Sequence, residues 1–355
     1  MKFLKLLLLS MVLSSLLLSS GCSKEKKRVS WTLQSQATES SIDYIELVKM
    51  AENIKVMSGN RFIIQTHPGG VFTGGPDIFN AVKKGTVEMG AGWPNWWSGQ
   101  HPAWAVMNAG PFDFMNIDAS LFYFIAGEGT ALANELANPE GVVWRAGWWP
   151  GMEFGLLSKE PINGIEDLRE KKVRIGPGLP SEVLAATTGS YAIPLVPSEI
   201  KPSLESGAID AVEWTTAAGA WNLGLNDIAT NAIVPALWQP SVLGDFLINK
   251  AAYDALPEDL KAILETAIKS YTLTTTAIAK VEDFKALELF KENNTKIVRW
   301  SDEDIQRWRD VSDEVLEQYK AKDEFTKRLI ESKHSFKASY NQYYQDFGPY
   351  DQLPR

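Results

Sequence analysis

The stretch Val173–Trp214, VRIGPGLPSEVLAATTGSYAIPLVPSEIKPSLESGAIDAVEW, decides how the rest of the chain is read. Lys172 to Ile175 reads as a short strand that runs into the turn Gly176-Pro177-Gly178. Ser181 to Thr187 begins a helix and Ile193 to Val196 reads as a second strand. Pro197 to Ser206 is a helix stopped by Gly207, and Ala211 to Trp214 is a third strand. A strand that ends in a Gly/Pro turn exposes its last side chain in a cleft. Here that side chain is Arg174, whose guanidinium can clamp a carboxylate or sulfonate through two parallel hydrogen bonds. The plain alternative is a surface arginine paired with a nearby acid such as Glu182.

The same alternation extends in both directions and predicts an α/β architecture. Upstream, strands are expected at Trp31–Ser35, Arg61–Thr66 and Val87–Gly92, with helices at Ser41–Met57 and Asp77–Lys84. Leu121–Asn138 reads as one helix, followed by strands at Val142–Trp149 and Glu153–Ser158. Downstream, Leu247–Asn249 belongs to a strand. Pro257, with Glu258 and Asp259 in the first turn, opens a helix whose apolar spacing runs to about Asn293. Ser301 is placed to cap a further helix, and the charged, aromatic tail from Lys320 reads as helical.

Glu213 ends the strand beside Trp214, and Glu153 follows the turn Pro150-Gly151. Two carboxylates at one cleft can hold a hard cation such as Na⁺ or Ca²⁺. They can equally act as the acid and base of a glycoside hydrolase, or stand in surface salt bridges. Among thirteen tryptophans, most read as core, but Trp96 and Trp97 follow a strand end and suit a pocket wall. The three histidines lack metal spacing with a partner. There is no nucleophile elbow, no P-loop and no dinucleotide fingerprint.

The formal net charge of −9 argues against nucleic acid as a partner. Residues 1–22 carry Lys2 and Lys5, then an apolar run too short for a membrane span, then small residues ending at Cys22. This resembles a bacterial lipoprotein signal, with Cys22 acylated and the mature chain held on the outer side of a membrane. Ser19 stands where such signals usually carry leucine. Acylation of the single cysteine leaves no thiol for a disulfide, a metal site or a nucleophile. Residues 23–29 read as a linker.

Over about residues 30–340 the chain resembles the substrate-binding proteins of TRAP transporters, the tripartite ATP-independent periplasmic carriers, of the DctP type. The opening stretch carries the resemblance most specifically, with support from Gly74 to Gly90 and Gly110-Pro111-Phe112. Glu213-Trp214 and Leu243–Lys250 look most like the branch that binds 2-oxo acids and related monocarboxylates. The resemblance implies a bilobed periplasmic binding protein fold with two crossovers and a long lobe-spanning helix. It places 30–152 plus 238–282 in lobe I, and 153–237 plus 283–345 in lobe II. It implies an extracytoplasmic, non-catalytic receptor that closes on a small organic acid and delivers it to TRAP membrane carrier subunits. Arg174 falls on the family's carboxylate clamp, and Glu213 and the Trp214 carbonyl fall on metal ligands of that branch. Asp245 falls where the branch has glutamate, and Asn95, Trp96 and Trp97 fall on its pocket segment. Three places depart from the pattern. Glu153 replaces a neutral glutamine, Gly219-Ala220 replaces a more polar segment, and Trp238-Gln239-Pro240 differs in chemistry. The extra carboxylate of Glu153 favours Ca²⁺ over Na⁺ as a metal, or accepts a hydrogen bond from the ligand with no metal present. The tail suits either a swapped dimer or a cap on the long helix.

Overall fold

The computed structural model describes residues 28–108 and 110–348. The expected signal at residues 1–22, Cys22 included, and most of the 23–29 linker lie outside the described residues. Two sheets organise the chain. The first joins β1 (Val29–Ser35), β2 (Phe62–His67), β3 (Met89–Gly92), β4 (Val142–Trp148) and β10 (Gly244–Asn249) in the order β2-β1-β3-β10-β4. The second joins β5 (Leu157–Ser158), β6 (Lys172–Arg174), β7 (Tyr191–Ile193), β8 (Ala211–Val212), β9 (Asn231–Val234) and β11 (Lys296–Arg299) in the order β11-β9-β5-β8-β6-β7. β1 runs parallel to β2 and β3, while β10 is antiparallel to β3 and β4. The chain therefore leaves the first sheet after Trp148, builds most of the second, and returns at Gly244. These are the two expected crossovers.

Strand β10 sits between β3 and β4 with both faces covered, so its Phe246, Leu247 and Ile248 are all buried. A strand buried on both faces reads as a continuous apolar run rather than an alternation. The helix Ile42–Met57 packs Leu47, Met50 and Ile54 on the first sheet. It exposes Ile45 and Val48.

The helix Glu258–Glu292 has 35 residues, or about 52 Å at 1.5 Å per residue. Its first half buries Leu260, Leu264, Ile268 and Tyr271 against the first lobe, and its end buries Ala286 and Phe290 in the second. Acidic residues open it and Lys291 closes it, both favourable against the helix dipole. The run Thr274-Thr275-Thr276 in its middle has poor helix propensity. Tertiary bonding offsets that cost at one of them: Thr276 Oγ1 accepts from the Trp149 backbone N–H at 3.0 Å, where the chain crosses over.

Several expected elements differ. Leu121–Asn138 is two helices, Ile117–Ile125 and Gly129–Ala137, because the first closes at Gly127, whose N–H bonds back to the Phe122 carbonyl. Glu153–Ser158 is a strand only at Leu157–Ser158. Phe154 and Gly155 instead donate to Thr215 and Ile233. The strand expected at Ile193–Val196 is displaced to Tyr191–Ile193, since Pro194 has no N–H for the ladder. The last helix, Glu324–Phe347, was expected in the second lobe with the rest of 283–345, but it also lies across segments of the first. Lys333 Nζ donates to the carbonyls of Val106 (2.7 Å) and Asn108 (3.2 Å) and pairs with Asp113, and Tyr123 bonds Ser332.

Candidate functional site

The strands β1 and β3 of one sheet and β6 and β8 of the other end at the gap between the lobes. Ligands of open α/β sheets bind beyond the carboxyl ends of such strands. A cavity of about 430 Å³ lies there, including its mouth. Gln36, Trp93, Asn95 and Trp96 face it from the first lobe. Arg174, Glu213, Trp214 and Thr215 face it from the second, and Glu153 enters from the crossover.

Arg174 is the last residue of β6 and is 4% exposed. Its Nη1 donates to the Glu213 carbonyl at 2.5 Å and to Glu213 Oε2 at 3.0 Å. Its Nε and Nη2 both lie 3.3 Å from the Leu195 carbonyl, and the guanidinium stacks 4.9 Å from the Trp214 ring centroid. The expected alternative partner, Glu182, instead accepts from the Tyr319 hydroxyl at 2.5 Å. Burial lowers the Arg174 pKa, and the charges of Glu213 and Glu153 oppose that shift. An arginine stays charged in such a setting.

Glu153 and Glu213 are buried side by side. Burial first, and then the charge of Glu213 and a hydrogen bond with it, push the Glu153 carboxyl well above the carboxylate range. Glu153 Oε2 has no hydrogen-bond partner within the protein. A buried polar atom without a partner is costly, so it points to a group that completes it. Among the described residues no cluster of three or more His, Cys, Asp or Glu side chains is placed to hold a metal. Two carboxylates, one orphaned oxygen and nearby backbone carbonyls do form a hard-oxygen donor set. It suits Na⁺ or Ca²⁺ only if a ligand supplies further oxygens.

Asn95 spans the two lobes. Its Nδ2 donates to the Pro177 carbonyl at 2.9 Å, next to the turn that follows Arg174. Gly178 ends that turn at φ +92°, and a Cβ there would crowd Ala105 at 3.3 Å, so the position suits glycine. These contacts hold the lobes together over the cavity.

Two expected residues stand elsewhere. Trp97 is buried behind the cavity wall, and its Nε1 donates to Asp245 Oδ2 at 2.9 Å. Trp144 Nε1 donates to the same oxygen at 2.7 Å. Asp245 lines a separate narrow space behind Gln36 and Trp93. The step from Trp96 to Trp97 turns the second ring into the core, because Pro94–Trp97 is a 3₁₀ turn. Gln36, Trp93, Thr215 and Gln239 complete the wall and were not singled out as site residues. Gln36 and Trp93 directly follow the ends of β1 and β3, which is a readable signal. Thr215 adopts φ +24°, a conformation its residue type does not announce.

The sequence model of the bacterial extracellular solute-binding proteins, family 7 (DctP), matches residues 33–323. The chain belongs to this family. The family supplies the periplasmic solute receptors of TRAP transporters, which bind small organic acids and are not enzymes. The monocarboxylate 2-oxoacid-binding periplasmic protein of Nostoc sp. is 29% identical over 310 residues, 87% of this chain and 84% of that protein. A TRAP periplasmic solute-binding protein from Pseudoalteromonas atlantica, solved with bound sodium and pyruvate, has a TM-score of 0.86 at 26% identity. It covers 92% of this chain and 100% of that one. A Colwellia psychrerythraea counterpart, solved with calcium and pyruvate, has a TM-score of 0.83 at 25% identity, covering 90% of this chain and 97% of that one. In both of these DctP-family structures a cation accompanies the acid. No helix among the described residues of this receptor is long and apolar enough to cross a membrane.

Proposed function

We propose that this receptor binds a small monocarboxylate, in the class of 2-oxo acids, and hands it to a TRAP membrane carrier. The observation that carries this reading is the buried Arg174 guanidinium at the lobe interface, flanked by Glu153, Glu213 and Trp214. Arg174 holds the acid group, Asn95 and Trp96 close over it, and Trp214 fixes the plane of the guanidinium. Asp245 and Trp97 support the wall from behind rather than touch the ligand.

Charge decides the cofactor. A bound cation would displace the proton that burial keeps on Glu153. With both glutamates then ionised they outweigh the single arginine, and a bound carboxylate adds a further negative charge in a buried place. Such an excess is too costly to leave uncompensated. A divalent cation makes the set neutral, whereas sodium leaves one charge over. The branch resembled has a neutral glutamine where this chain has Glu153, so its balance closes with sodium. Calcium is therefore the cation that fits this chain. Glu153, Glu213 and the Trp214 carbonyl would hold it, and its chemistry would be to neutralise and orient the acid.

The rival reading, a glycoside hydrolase using Glu153 and Glu213, needs carboxyl groups about 5–5.5 Å apart or wider, with the scissile bond between them. Glu153 and Glu213 are instead both buried, and Glu213 is engaged by the Arg174 guanidinium, which does not suit an open-groove acid and base. Outside the described residues, Cys22 is the proposed lipid attachment that keeps the receptor at the membrane.

Calorimetric titration of pyruvate into wild type and Arg174→Ala tests the reading. Loss of a charged, bidentate contact is expected to weaken binding about tenfold or more. Equal affinity in the two proteins would remove Arg174 from the role.

A further inference from the structure

A second chamber of about 630 Å³, its mouth included, adjoins the ligand cavity. The two share Gln36, Trp93, Pro197, Trp214 and Thr215 as a common threshold. Beyond it the walls are Ile42 and Trp148 on one side, and Leu223 and Ala279 on the other. The Trp93 and Trp148 rings lie against each other at 5.9 Å and make one aromatic surface. Gly219 lines the chamber as bare backbone, because a Cβ there would stand 2.0 Å from Thr215 Oγ1. This is one of the places where the sequence departs from the pattern it resembles.

The charge of the lining is equally specific. Among the described residues the only charged side chain lining it is Asp43, with no lysine, arginine or histidine in the wall. A second carboxylate on the ligand would meet an acid and no cation. An apolar group would meet Ile42, Trp148, Leu223 and Ala279, with the short side chains of Thr38, Ser40, Ser41 and Thr216 and with Asn222 between them. A concave apolar surface joined to a charged anchor is the arrangement that takes an amphipathic small molecule.

We infer that this chamber is a tail subsite, so that the receptor is tuned to monocarboxylic 2-oxo acids bearing an extended alkyl or aryl tail. The inference rests on the monocarboxylate reading of the Arg174 cavity. Trp93 and Trp214 form the passage, and Trp148, Leu223, Ile42 and Ala279 take up the tail.

The experiment is a calorimetric series in calcium buffer: pyruvate, 2-oxobutanoate, 2-oxohexanoate and 4-phenyl-2-oxobutanoate, with 2-oxoglutarate as the dicarboxylate control. Affinity is expected to rise about twofold to fourfold per buried methylene, with 2-oxoglutarate gaining nothing over 2-oxobutanoate. Leu223→Trp and, independently, Ile42→Trp fill the chamber. Each should leave pyruvate affinity within about twofold and abolish the gain with chain length. Pyruvate binding with a flat series would overturn the tail subsite and leave the Arg174 reading standing. A rising series that both plugs leave intact would overturn it as well. No binding of any acid would overturn both.

Discussion

Arg174 shows what one residue's position in a sequence can and cannot reveal. Its place at a strand end before Gly176-Pro177-Gly178 was readable, and that place suggests the anion grip proposed for it. Its partner was not, because Glu213 lies 39 residues away and meets it only when β6 and β8 pair. Glu153 carries the sharpest consequence at this scale. Glu153→Gln restores the neutral residue of the branch the chain resembles and should shift the cation preference from calcium toward sodium. Pyruvate affinity measured in calcium against sodium is expected to lose about tenfold or more of its calcium advantage. An unchanged preference would place the cation elsewhere. Asp245 yields a stability prediction instead. Burial pushes its carboxyl up to about 7, against the opposing pull of the Trp97 and Trp144 N–H groups. The folded chain therefore keeps a proton that the unfolded chain releases near 4. Stability from this group is present below about pH 4 and is lost as pH rises to about 7. Asp245→Asn should flatten that fall, recovering roughly 1–4 kcal/mol at pH 8 relative to pH 5. Urea unfolding at the two pH values reads it, and an unaltered slope would show that Asp245 does not titrate there.

At the scale of elements, periodic apolar spacing predicted most of the long helix and its ends within a residue or two. It failed for short strands. β9 and β11 have four residues each and pair in parallel with one another, with a bond pattern that only tertiary structure supplies. It also could not place the last helix, since an amphipathic stretch records that it has an apolar face but not which surface receives it. Lys333 answers that question. Its buried ammonium caps the carbonyls of Val106 and Asn108 and neutralises Asp113, fastening Glu324–Phe347 to the first lobe. Lys333→Met keeps the volume and leaves Asp113 unpaired. It should cost about 3–5 kcal/mol in unfolding free energy. A loss below about 1 kcal/mol would mean that solvent already screens the pair.

At the scale of the whole molecule, two lobes built from interleaved stretches of chain share one helix and meet at one charged cavity. That design lets a ligand stabilise the closed arrangement simply by binding both halves. A saturating acid at about a hundredfold over its Kd adds roughly 2.7 kcal/mol to folding stability. The two crossovers were legible through the family resemblance, because they follow from strand order rather than from any local pattern. What the cavity holds was less legible, because it depends on whether Glu153 and Glu213 face each other, and no spacing in the sequence encodes that. The central claim is that calcium, Arg174, Glu153, Glu213 and a monocarboxylate form one neutral assembly between the lobes. Its most direct test is calorimetric titration of pyruvate into chelator-stripped protein, before and after calcium is restored. The account predicts one pyruvate per chain with calcium present and binding at least about tenfold weaker without it. Pyruvate binding of equal strength in both states would contradict it.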